Sequence, residues 1–155
     1  MLSPTELGIG SLADAKPLSL ILPRTQYEEP ILIGSSDGKP VAVFIGDQHR
    51  FQSFQCQNNT SWKVLLIIGI FVEIDESSVF NPDRDSAPAG ALIRQETTLA
   101  IISTGERFIG HMSSVILVEG LPPTSQDTCA GFLRWQIVIG QGNEKRVLKM
   151  IDLTS

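Results

Sequence analysis

Apolar residues along this chain come in short runs, each closed by a glycine, a proline or a polar cluster. Residues 18–22 (LSLIL) stop at Pro23, and residues 31–33 and 41–45 (ILI and VAVFI) flank Gly34-Ser35-Ser36-Asp37-Gly38. Residues 51–56 alternate apolar side chains with glutamines and a serine, the pattern of a half-exposed strand. The longest run, residues 62–74, is apolar on both faces through its middle, which predicts a strand buried on both sides, with Gly69 marking a bulge or a close backbone approach. Residues 115–118 end at Gly120 and Pro122-Pro123. Residues 132–139 and 146–151 are joined through Gly140-Gln141-Gly142-Asn143, a second hairpin signal. Between them, residues 91–102 are open to two readings. Leu92, Ile93, Glu96, Leu99 and Ala100 approach helical spacing, whereas Thr97-Thr98 and Ile101-Ile102 favour a strand, and strand is the preferred reading.

Ser3, Pro4 and Glu6 spell a helix start, with a capping residue, a proline at the first position and a completing acid. Gly8 and Gly10 follow at once and limit it to a short helical turn in an N-terminal arm, residues 1–17. Residues 75–90 (DESSVFNPDRDSAPAG) read as an acidic, Pro/Ser-rich loop. Ile-Gly pairs close runs at Ile33, Ile45, Ile109 and Ile139 with irregular spacing, so this is no repeat array. The expected fold is all-β: one domain spanning residues 1–155, a sandwich or partly closed barrel of about eight to ten mostly antiparallel strands.

Gly34-x-Ser36-x-Gly38 matches the spelling of a hydrolase nucleophile elbow, which requires a strand before the serine and a helix directly after it. Pro40 pushes Lys39 out of the helical region, and the β-branched run that follows is strand-like. Asp37-Gly38 supplies residues that accept positive φ in a hairpin loop. The stretch therefore reads as a hairpin, with Ser36 no nucleophile.

Charged residues make up 19% of the 155-residue chain, below the ~25% typical of soluble domains, so either the core is large or apolar surface is left for another subunit, and a homo-oligomer is the favoured reading. Net charge is −5 with scattered Lys and Arg, which argues against nucleic acid as a partner. The apolar run at residues 64–72 is less than half the ~20 residues a spanning helix needs, and the N-terminus lacks the basic and apolar regions of a secretion signal. The expectation is a soluble cytoplasmic protein with no membrane partner, in which Cys56 and Cys129 are small buried hydrophobes instead of a bridge.

Candidate chemistry is sparse. His49, His111, Cys56 and Cys129 lack the tight pairing of zinc ligands, so neither a metal nor another cofactor is expected. Asn81, Asp83 and Asp85 resemble the start of a calcium loop, but Ser86 and Leu92 occupy the positions that need Gly and Glu. Whether the acidic stretch 73–85 binds a cation stays open. In Gly46-Asp47-Gln48-His49-Arg50, strand alternation would put Asp47 and His49 on one face, where a carboxylate could orient an imidazole. Asp47, His49, Arg50, His111 and Arg134 are the polar residues beside apolar strands and the candidate lining of a pocket. No catalytic residue is assigned. The favoured reading is a non-enzymatic β-domain that associates with itself, with room for a further protein partner or a small ligand. The alternative is a small β-barrel or jelly-roll enzyme, or a small-molecule binder, whose site draws on residues distant in sequence.

Overall fold

A computed structural model of the chain describes residues 7–12, 15–22, 29–56, 63–82, 87–104, 113–121 and 129–154. They form fourteen short strands: β1 Leu7–Ser11, β2 Ser19–Ile21, β3 Ile31–Ser36, β4 Lys39–Phe44, β5 Ser53–Gln55, β6 Lys63–Ile67, β7 Ile70–Ile74, β8 Val79–Phe80, β9 Leu92–Gln95, β10 Thr98–Ser103, β11 Ser113–Val118, β12 Ala130–Phe132, β13 Arg134–Ile139 and β14 Arg146–Asp152. The protein is all-β, its strand pairings are antiparallel, and its two sheets stack like a sandwich without closing into a barrel. The larger sheet runs β1-β6-β2-β3-β11-β10-β9-β12-β8, with β4 and β5 branching from β3; the smaller runs β14-β13-β7. No helix among the described residues is long and apolar enough to cross a membrane. The helix start at residues 3–6 lies outside the described residues.

The strand count exceeds eight to ten because runs that read as single strands divide. Residues 92–102 are strand, as preferred, but split by a tight turn at Glu96-Thr97 into the hairpin β9–β10. Residues 62–74 are not one doubly buried strand. The chain turns at Ile68-Gly69, where Gly69 takes φ +77°, and β6 joins the larger sheet while β7 joins the smaller. Left-handed backbone costs an L side chain but not glycine. The residue therefore supplies a hinge between sheets instead of a bulge, and Ile68 and Phe71 on either side are each 47% exposed. Residues 75–80, the first part of the stretch expected to be a loop, are more structured than that: a 3-10 turn at Glu76–Ser78 leads into β8.

Double burial belongs to β2, β3 and β4 instead. Leu20, Leu32, Val41 and Val43 face the main core, where Ile70, Trp135, Ile137, Ile139 and Ile151 of the smaller sheet meet them. Their sequence neighbours Ile21, Ile33 and Ala42 face the opposite way, into a second cluster with Leu12, Ala15 and Cys56. Strand alternation sends successive side chains to opposite faces, so a strand with apolar layers on both sides reads as a continuous apolar run. Cys56 and Cys129 are not bridged, and Cys56 is fully buried.

The hairpin of β3 and β4 has the expected form. Ser36 pairs with Lys39 across the two-residue loop Asp37-Gly38, whose φ values of +52° and +76° are those of a type I′ turn.

Candidate functional site

The segment from Gly46 to Gln52 links β4 to β5 as a compact loop. Phe51 N–H donates to the Phe44 carbonyl at 2.7 Å, Phe44 N–H to Gln52 at 2.9 Å, and Gln52 N–H to His49 at 2.9 Å. Residues 46–49 bend instead of extending, so alternation does not align Asp47 with His49. The carboxylate that orients the imidazole is Glu29, twenty residues upstream. His49 Nδ1 lies 2.5 Å from Glu29 Oε2, and Glu29 also accepts backbone N–H groups from Gln48 at 2.9 Å and His49 at 3.0 Å.

Glu29's side chain is 8% exposed, whereas that of His49 is 54% exposed. Burial raises the carboxyl pKa, but the hydrogen bonds from His49 and Gln48 outweigh it and hold the group below its ordinary value. Gly46 is needed for the fit, because a Cβ there would stand 2.7 Å from Glu29 Oε1 and 2.9 Å from Glu29 Cβ. The imidazole also leans on Phe44, with ring centroids 5.3 Å apart. Arg50 sits with its guanidinium carbon 4.9 Å from the Phe51 ring centre. Phe51 itself is buried at φ +64°, an unusual conformation for a bulky residue, held by the bonds that close the loop. Asp47 is exposed, and His111 lies outside the described residues.

Arg134 stands on the smaller sheet with other partners. The outer face of β14-β13-β7 carries three cross-strand rows. At one end, Arg134 is paired with Asp152 across the ladder and reaches Asp75 at 2.9 Å. Its Nε is 3.7 Å from Asp152, close enough for charge attraction but too far for a hydrogen bond. In the middle row Glu73 accepts from Gln136 at 2.8 Å and from Lys145 at 3.1 Å, beside Met150. The third row is apolar: Phe71, Val138 and Val147. Phe71, Val147 and Met150 are about half exposed, while Val138 between them is covered.

An open concavity of about 650 Å³ covers the first two rows, lined by Glu73, Asp75, Arg134, Gln136, Met150 and Asp152 over Ile74 and Trp135. Its carboxyls are all held below their ordinary pKa: Asp75 by hydrogen bonds from Ser77, Asp152 by those from Thr154, and Glu73 by Gln136 and Lys145. They stay ionised at neutral pH, so the charge of Arg134 is already engaged by Asp75 and Asp152. Among the described residues no three His, Cys, Asp or Glu side chains converge as metal ligands.

Of the five candidate residues, then, Asp47, His49 and Arg50 share the β4–β5 loop, Arg134 lies in the concavity of the other sheet, and His111 lies outside the described residues. The residue missed by sequence reasoning is Glu29. The segment Tyr27-Glu28-Glu29-Pro30 shows an acid ahead of a strand, but nothing in it indicates which imidazole that acid meets.

A family model described as "Uncharacterised protein y4lG" matches residues 9–155. The chain is 47% identical over 148 residues to the protein described as "Uncharacterized protein y4lG" from Sinorhizobium fredii, an alignment covering 96% of this chain and 91% of that one. No solved structure matches. The chain belongs to the y4lG family.

Proposed function

We propose that the protein works by association: it is an interaction domain that pairs with a second copy through the outer face of its smaller sheet. One observation carries this reading. Phe71, Val138 and Val147 form an apolar row across all three strands of a sheet whose opposite face is already packed on the core. An exposed apolar patch rimmed by polar residues is characteristic of a contact surface. The rows beside it carry Glu73, Asp75 and Asp152 together with Arg134 and Lys145. A two-fold interface sets one patch against itself, and a patch holding both signs can match its own charges. Three strands about 4.8 Å apart and five residues long present a footprint of roughly 250 Å². That is well below the ~800 Å² per partner of a stable complex, so flanking segments must contribute or the dimer is reversible.

Sedimentation velocity over a range of concentrations tests this. The expected result is a dimer fraction that rises with concentration and is abolished by Phe71→Glu or Val147→Glu. Val79→Glu, on β8 of the larger sheet and 56% exposed, should leave it unchanged. A monomer at every concentration would overturn the reading.

A second reading, a small-molecule site assembled from residues distant in sequence, is favoured by the Glu29–His49 pair. His49 and Arg50 are the residues we would assign to it.

A further inference from the structure

The β4–β5 loop holds an arrangement that self-association does not use. Glu29's buried carboxylate receives His49 Nδ1 and two backbone N–H groups, so the anion is held in place and the imidazole is fixed from one side. A carboxylate on Nδ1 selects the tautomer that carries its proton there, which leaves the lone pair on Nε2. His49 is more than half exposed, and Nε2 is its remaining polar ring atom. The support behind it is stiff. Gly46 is shaped around Glu29, Phe44 packs on the imidazole, and Phe51 keeps a strained left-handed backbone under two hydrogen bonds to Phe44 and Thr104. An exposed loop that merely needed to turn would not require a buried carboxylate aimed at a ring nitrogen, and strain of this kind clusters at functional sites.

We propose that Glu29 and His49 form a reactive imidazole site, with His49 Nε2 acting as nucleophile toward activated acyl compounds such as aryl esters and Glu29 as its positioning residue. The Nε2 lone pair attacks the ester carbonyl carbon, a nitrogen–carbon bond forms, and the carbon–oxygen bond breaks as the aryl oxide leaves with its electron pair. The acylated ring is positively charged, and the proton on Nδ1 is stabilised by, or passed to, the Glu29 carboxylate. Water then adds to the acyl carbon and loses one proton to the solvent, and the carbon–nitrogen bond breaks with its electron pair returning to Nε2. Any proton held by Glu29 returns to Nδ1, and a carboxylic acid is released. The site differs from a catalytic triad in using the imidazole itself, so it needs no serine or cysteine beside it.

The probe is p-nitrophenyl acetate on the full-length protein, with release of nitrophenolate followed from pH 5 to 9 and acetylation located by peptide mass spectrometry. The chain has two histidines, so the assignment is simple. Acetylation is expected at His49, faster than on N-acetylhistidine under the same conditions, and absent in His49→Asn. Glu29→Gln should lower the rate by about tenfold, in line with losing the carboxylate behind a working imidazole, and shift the pH profile. Circular dichroism separates a lost orientation from a lost fold. Should that variant unfold, the comparison of the unaltered protein with N-acetylhistidine still decides: a His49 that reacts no faster than the free amino acid would show the pair to be a loop lock only and sink the proposal. Retention of the dimer in His49→Asn would keep this result separate from the test of association.

Discussion

Trp135 donates its indole N–H to the carbonyl of Gly90 at 2.8 Å, a bond buried between the two sheets. Among the described residues Trp135 is the largest fully buried side chain, on the central strand of the smaller sheet, and Gly90 lies just ahead of β9 in the larger one. The bond satisfies a carbonyl that water cannot reach, and it also fixes the register in which the sheets stack. Trp135→Phe keeps an aromatic ring but removes the donor and leaves Gly90 unsatisfied, at a cost of about 2 kcal/mol. With a typical urea dependence for a chain of this size, the unfolding midpoint should fall by about 1 M while the slope is unchanged.

Gly38 and Ser36 separate the two meanings of the G-x-S-x-G spelling. Gly38→Val puts a β-branched residue at φ +76° and should cost about 1–2 kcal/mol, read as a lower thermal midpoint. Ser36→Ala touches only a partly exposed strand end and should stay within about 0.5 kcal/mol of the parent. A nucleophile elbow would give the reverse: ester hydrolysis lost with Ser36 and stability indifferent to it.

These two residues also mark where the sequence was informative. The hairpin of β3 and β4 was legible because turn chemistry and period-two burial agree within fifteen residues. The division of residues 62–74 was not, since an apolar run looks alike whether one strand is covered on both faces or two strands serve different sheets. Only the partners decide it: β6 lies against β1 and β2, while β7 lies against β13, more than sixty residues downstream. The true doubly buried strands, β2 to β4, were hidden by the same ambiguity. At the candidate site, alternation on an assumed strand nominated Asp47 as the carboxylate beside the His49 imidazole. The bends at residues 46–49 cancel that alternation, and Glu29 arrives through tertiary packing that no local pattern records.

Cys56 tests the second apolar cluster. Burial pushes its thiol up to about 11. At pH 8 roughly one molecule in a thousand would carry the reactive thiolate, and even that is closed off from reagent. Iodoacetamide should leave Cys56 unlabelled in the native protein over hours and modify it at once in urea, as peptide mapping would show. Labelling under native conditions would mean that the layer formed by Leu12, Ala15 and Ile33 opens readily.

Glu29 ties stability to pH in a direction that can be worked out. Its carboxyl lies below the ordinary value of 4.5 in the folded protein, because hydrogen bonds from His49 and Gln48 exceed the opposing effect of burial. A depressed folded value means that the unfolded chain takes up the proton first as pH falls. The stabilisation is therefore complete above about pH 5 and lost progressively as pH drops through 4.5 and the lower folded value. Glu73, Asp75 and Asp152 are lowered too and titrate in the same window, so the unaltered protein alone cannot isolate the effect. Comparing it with Glu29→Gln does. Urea unfolding should show the variant less stable at pH 7 by about 1.5–3 kcal/mol, the scale of a hydrogen bond to a charged group. The gap should narrow as pH is taken from 5 to 3. A gap that stays constant over that range would mean the Glu29 carboxylate contributes through packing and not through its charge.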